Sequence, residues 1–203
     1  MGYIFRLIEK ILNVVPGGIF GLISVFFALS GILIAFFSFP GFSILLYDVS
    51  YLAIGPLGLF FDLGLILSGI LAIPFNFYMI IVIEDKKIKP RLKKYALSLS
   101  IMSSITLSLI GFFPVLIENI IILFIHGILA LLTFLGVTIY CILFGYFFII
   151  NEKFSNFHAI LSFFVSGIFI FYFTNRWSLI EWIGIVSIMI WITYNSITTL
   201  IKK

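Results

Sequence analysis

The chain carries little charge and almost none of the side chains that form disulfides or hold metals. Of its 203 residues only 10% are Asp, Glu, Lys or Arg, too few to cover the surface of a water-soluble domain. One cysteine, Cys141, excludes a disulfide framework and a thiolate cage. Two histidines, His126 and His158, are too few for a multi-histidine zinc site. No Gly-rich phosphate loop, serine nucleophile elbow or H-E-x-x-H pair occurs. Neither a metal ion nor a cofactor is expected.

What is present is hydrocarbon. The hydrophobic residues make up 63% of the chain and the mean hydropathy is +1.32. Apolar stretches recur at about 19–38, 57–83, 95–113, 119–149, 157–174 and 180–200. Each is long enough to cross a bilayer as a helix of roughly 20 residues. The runs are apolar all round, as in Ile120 to Ile125, and not alternating as in a membrane barrel. The expected fold is therefore a single all-α membrane domain over 1–203, a bundle of six transmembrane helices.

Charge placement sets the expected orientation, because cytoplasmic loops retain Lys and Arg. With the N-terminus inside, Arg6, Lys10, Lys86, Lys87, Lys89, Arg91, Lys93, Lys94, Lys153, Lys202 and Lys203 all fall on the cytoplasmic side, and Arg176 alone falls outside. The acidic groups divide evenly, with Glu9, Glu84, Asp85 and Glu152 inside and Asp48, Asp62, Glu118 and Glu181 towards the outside. A multi-pass cell-membrane protein with both termini cytoplasmic is the expectation. The net charge of +4 then reports topology, and nucleic acid is not an expected partner. The basic run from Lys86 to Lys94 lies where anionic lipid heads would attract it.

Residues 2–15 put Arg6, Glu9, Lys10 and Asn13 on one helical stripe with apolar residues around it, which predicts a short interfacial helix over 1–16. Pro16, Gly17 and Gly18 then turn the chain into the bilayer. Only the first outer loop, roughly 39–56, is long enough for structure of its own. It is mostly apolar or aromatic and is expected to fold back over the outer mouth of the bundle. Gly64, Ser68 and Ala72, and likewise Ser100, Ser104 and Ser108, recur every four residues, the spacing that lets membrane helices approach closely.

Ionisable groups inside a span are costly and need a partner or a task. Asp62 and His126 each lie six or seven residues into a span, at about the same depth of ~10 Å. Glu118 and His126 sit near one helix face two turns apart, an arrangement open both to proton relay and to a plain register-fixing hydrogen bond. Ser178 to Glu181 matches the S-x-x-E capping box, which explains Glu181 without a ligand. Arg176 is placed to pair with Glu181 or Glu118. His158, at the opposite membrane face from His126, cannot share an ion or haem with it.

VSYLAIGPLGLFFDLGLILSGIL (49–71) resembles the opening of the second span in the domain-of-unknown-function 998 family, whose usual wording is near I-S-D-L-G-x-G-P then F-N-x-G-L-I-x-x-G. Ser50, Leu52, Gly55, Pro56, Gly64 and Gly69 match, while Tyr51 replaces an aspartate, Ala53 a glycine and Asp62 an asparagine. Phe113, Pro114, His126, Ala130 and Phe134 are similar to the family's G-x-F-P-E…H…A pattern, with Val115 in place of the glutamate. Glu181 and Trp191 match its last span, where Trp182 stands for an arginine. The resemblance implies a six-span bundle with its polar residues gathered at the outer mouth, and no activity. Loss of charge at Tyr51, Val115 and Trp182 favours a structural member.

The candidate outer polar cluster is therefore Ser50, Asp62, Glu118, His126 and Glu181. The leading functional expectation is a non-catalytic membrane protein, an accessory subunit or lipid-contacting scaffold whose partners are membrane lipids and other integral membrane subunits. The alternative is a membrane-embedded enzyme or lipid-handling protein with an outer-leaflet pocket around Asp62 and His126. A transporter ranks last, since the inner halves of the spans hold few polar groups.

Overall fold

A computed structural model describes residues 8, 10–115 and 119–201. Six long helices dominate: α1 (Gly17–Ser38), α2 (Gly58–Val82), α3 (Pro90–Phe112), α4 (Ile120–Ile150), α5 (Asn156–Asn175) and α6 (Ser178–Ile201), with no strand among the described residues. All six are long and apolar enough to cross a membrane. Of the expected interfacial helix, residues 10–14 are helical and stop at Pro16. Residues 1–7 and Glu9 lie outside the described residues, as do Lys202 and Lys203.

Local chemistry explains the helix ends. Asn119 caps α4 by accepting from the Ile121 and Ile122 N–H groups at 3.1 and 3.2 Å. Pro90 occupies the first position of α3, where its missing N–H costs nothing. That helix starts five residues before the apolar run at 95, so Arg91, Lys93 and Lys94 ride on helix and not on loop. Hydropathy marks the hydrocarbon slab, whereas the helix continues into the headgroup layer. Arg176 ends α5 in the left-handed conformation, φ 54°, and its N–H bonds Tyr172 O at 2.8 Å. The turn into α6 is only Arg176 and Trp177 long.

Each helix packs against its chain neighbours, and α6 returns to pack on α1. The result is a closed antiparallel ring. Both ends of the described chain and the lysine-rich 83–89 loop lie at one end, the terminal end. The 39–57 loop and the α5–α6 turn lie at the other, the mouth end.

Small residues make the contacts. A Cβ on Gly31 would stand 2.6 Å from Phe60 O and 3.1 Å from the Gly64 Cα, so α1 and α2 cross backbone to backbone. Deeper in the same seam, Ser24 Oγ donates to Ser68 O at 2.9 Å. Between α2 and α3, a Cβ on Gly69 would stand 2.5 Å from Ser104 O, and Ser108 Oγ donates to Ile66 O at 3.1 Å. Both four-residue stripes are thus packing devices, as membrane helices require.

The ring is filled at its terminal end and not at its mouth. Phe75, Met79, Tyr140, Phe144, Phe147, Phe148, Val165 and Trp191 form a buried cluster. Trp191, 0% exposed, packs on the rings of Phe75, Tyr140 and Phe144 and donates Nε1–H to Ser162 Oγ at 2.7 Å. This buried indole therefore crosses the ring with its hydrogen satisfied. At the mouth, a 3-10 turn (Val49–Ile54) buries Val49 and Leu52 against Ile32, Ala35 and Phe61. Trp182 Nε1 donates to Tyr47 O at 3.0 Å. The long loop therefore lies across the ring and does not extend from it.

Replacing Gly64 with Leu is expected to cost about 1–3 kcal/mol through overpacking, lowering the thermal midpoint in detergent. Gly127→Leu, where an added Cβ meets nothing within 4 Å, is expected to stay within about 0.5 kcal/mol of the parent. Equal effects at the two positions would contradict the close α1–α2 crossing.

Candidate functional site

A cavity of about 300 Å3 occupies the mouth half of the ring and is lined from all six helices and the 39–57 loop. Its depth follows from helix rise. On α4 it runs from His126 to Tyr140 and on α2 from Phe61 to Asn76, about 20 Å at 1.5 Å per residue. The walls are mostly apolar, including Ile32, Leu65, Leu107, Phe134, Ile185 and Met189. Hydroxyls at depth are spent on helix packing. Ser103 donates to Thr133 O at 3.2 Å, and Thr106 and Thr133 share a bond of 2.7 Å. Asn76 Nδ2 donates to Ser104 Oγ at 3.0 Å.

The polar groups that face the cavity without serving helix packing lie at the mouth. Glu181 is 3% exposed, and its Oε2 accepts from Tyr172 Oη at 3.1 Å. Asp48 lines the same cavity from the first outer loop. Arg176 lines the same cavity, with its guanidinium 6.0 Å from the centre of the Tyr172 ring. Its left-handed backbone is unusual for a residue other than glycine.

His126 is 6% exposed and lines the cavity. Nδ1 lies 2.8 Å from Phe113 O, and because a carbonyl only accepts, Nδ1 carries the hydrogen. The histidine ties the start of α4 to the end of α3. Its partner is this carbonyl and not Asp62 or a serine.

Of the five residues singled out in the sequence, Ser50, His126 and Glu181 line the one cavity. Glu118 lies outside the described residues. Asp62 is 9% exposed but faces elsewhere, with its backbone carbonyl against Gly111 of α3. Its Oδ1 is buried without a hydrogen-bond partner. Glu181 also departs from the capping-box expectation. Trp177 O accepts the first bonds of α6, from Ile180 and Glu181, so Glu181 is the fourth helical residue and not the third. Its side chain turns to Tyr172 instead of the helix start. Arg176 forms no ion pair with Glu181, and the ion pair found within 4 Å among the described residues is Lys87 to Glu152, at the terminal end.

Sequence reasoning missed Asp48 and Tyr172 as site residues. Tyr172 sits nine residues before Glu181 across a two-residue turn, which folds the two side chains together. Asp48 lies in the loop expected to cover the mouth, and that expectation was the signal that could have found it. His158 lies at the terminal end. There Nδ1 is 2.9 Å from Ser155 Oγ and Nε2 is 3.2 Å from Thr198 Oγ1, a packed structural histidine.

The family model described as "Protein of unknown function (DUF998)" matches residues 22–197. No curated protein and no solved structure matches the chain. The chain belongs to this family, which spans every helix of the ring.

Replacing the orphaned Asp62 with Asn is expected to stabilise the protein by about 1 kcal/mol or more, because a buried carboxyl oxygen without a partner is costly. Thermal unfolding in detergent reads this. A lower midpoint for the variant would show that Asp62 has a structural partner.

Proposed function

We propose that this family member binds one single-chain membrane amphiphile inside its ring, with the polar head at the mouth and the apolar chain reaching toward Tyr140. The cavity supports this reading most directly. It is enclosed by all six helices, has polar groups at one end and is apolar along its walls. At about 300 Å3 it sits at the small end of ligand pockets, which run from about 300 to 1,000 Å3, so one chain suits it better than two. The long loop, pinned by Trp182 and by burial of Val49 and Leu52, holds Asp48 and Ser50 over the entrance. This is the lipid-handling alternative of the sequence reading, centred on Glu181, Asp48 and His126 and not on Asp62. No bond-making step is assigned to it.

The accessory-subunit reading draws on the exposed apolar outer faces, such as Phe26, Phe37 and Phe164. Lipid covers such faces equally well, so the interior discriminates better than the exterior. Contact with other membrane subunits would use those outer faces.

Purification from native membranes in mild detergent, followed by mass spectrometry of retained lipid, tests the proposal. The expected result is one defined single-chain amphiphile per protein, lost in Ala28→Trp, which fills the cavity wall, while that variant remains monodisperse. Retention of no lipid, or equal retention by Ala28→Trp, would overturn it.

We further propose the cell membrane as its location, with the terminal end cytoplasmic, on the strength of the lysines gathered there. Cys141, the one cysteine, is fully buried, so single introduced cysteines report cleanly. Leu46→Cys at the mouth should react with an impermeant thiol reagent on intact cells, and Glu152→Cys only after permeabilisation. The reverse pattern would invert the protein.

A further inference from the structure

We infer that the amphiphile enters the cavity sideways, through an opening to the hydrocarbon between the mouth-end parts of α4 and α5. The inference rests on the amphiphile-binding reading and makes the ligand one drawn from the bilayer and not from water. Of the described residues that line the cavity, only Gly127, Leu131 and Arg176 are exposed, and they lie at one place in the wall. Ser166 Oγ of α5 donates to Thr138 O of α4 at 3.1 Å, and the Phe134 and Phe169 rings stack with centres 5.1 Å apart, so this side of α4 faces α5. Leu131 precedes Thr138, and Gly127 precedes Phe134, by seven residues, two turns of helix, which keeps both on that side. The helices run antiparallel, so Leu131 is level with the last turn of α5 and Gly127 lies past its end at Asn175. A Cβ on Gly127 would accordingly meet nothing within 4 Å. The seam closed at Thr138 and Ser166 therefore parts two turns nearer the mouth.

The outside of the opening fits the same occupant. Gly127 and Leu131 also border a shallow groove on the outer face of α4, which Ile120, Phe124 and Ile128 continue. An apolar track and an apolar cavity thus meet at the same two residues, with no polar step for a hydrocarbon chain to cross. The route along the ring axis is covered instead. There the first loop buries Val49 and Leu52 and is held by the bond from Trp182 to Tyr47 O. An amphiphile in the bilayer already has its chain in hydrocarbon and its head at the water, and a sideways move keeps both where they are. Arg176 stands exposed at the rim, and an arginine head belongs in the headgroup layer, which sets the opening just beneath that layer. Gly127 leaves the gap free, since a large side chain there would stand in it.

The test closes the opening and reopens it in one protein. Gly127→Cys is placed in nanodiscs, with Trp177→Phe removing the exposed indole. An undecanol brominated at its last carbon is delivered from vesicles. Its arrival at the Tyr140 end of the cavity is read by stopped flow as quenching of Trp191, which packs on Tyr140. A benzyl methanethiosulfonate adduct on the introduced thiol is expected to slow quenching about tenfold or more and to leave its final extent unchanged. A reductant, which removes the adduct, should restore the rate. The same adduct on Ile149→Cys, exposed on α4 near the other end, should change neither rate nor extent. An unchanged rate with the adduct at Gly127→Cys, or a lost final extent with the rate intact, would overturn the side entrance and leave the amphiphile reading standing. Absence of saturable quenching in the unmodified protein would overturn both.

Discussion

Closure of the ring depends on how nearly α1 and α6 can touch. Lipid tails are as apolar as leucine, so no hydrophobic force drives two membrane helices together, and close packing with satisfied hydrogen bonds must hold them instead. At Gly18 an added Cβ would meet Ser196 O at 2.6 Å, and at Gly21 it would run into Ser196 Oγ. Glycine at these two positions lets α6 approach α1 directly. Without that seam the six helices, each packed on its chain neighbour, would form an open arc with no interior.

A closed ring of six helices has a centre that must be filled or left open, and this chain does one at each end. Toward the terminal end the aromatic rings around Trp191 fill it, and the indole hydrogen is taken up by Ser162. Toward the mouth the centre is open, bordered by apolar walls and capped by polar residues from the first loop, α4, α5 and α6. The asymmetry has a plain physical reading. The filled end ties the helices into one rigid body, and the open end leaves a cavity whose polarity changes along its length, as an amphiphile's does. The two-residue turn at Arg176 and the bond from Trp182 to Tyr47 hold the polar rim in place.

Most of the fold was legible in the sequence because uninterrupted apolar runs admit little but spanning helices. The small-residue stripes at Gly64 and Ser104 likewise announced close crossings, and the apolar composition of the first loop announced its return over the bundle. Helix starts were less legible where charge continues onto helix, as at Arg91 to Lys94. The site was legible only in part. Ser50, His126 and Glu181 drew attention as polar groups near the mouth, and the cavity gathers them. Asp62 drew attention for the same reason, yet the rotation of α2 turns it toward α3, and a 3.6-residue period read without its neighbours does not settle that rotation. Tyr172 escaped notice because its role comes from its bond to Glu181, and Asp48 because the return of the first loop brings it to the cavity. The apparent capping box failed because α6 begins one residue earlier than that motif requires.

The central claim is that the interior of the ring is an enclosed apolar chamber occupied by one chain. A crystal structure grown from a lipid mesophase, with a single-chain amphiphile present, tests it most directly. The account predicts continuous density for a single extended chain running from Glu181 and Asp48 at the mouth to the level of Tyr140, with α6 still packed on α1. A collapsed interior, with Ile185 and Met189 packed on Phe134, or an ordered file of water in place of the chain, would contradict it.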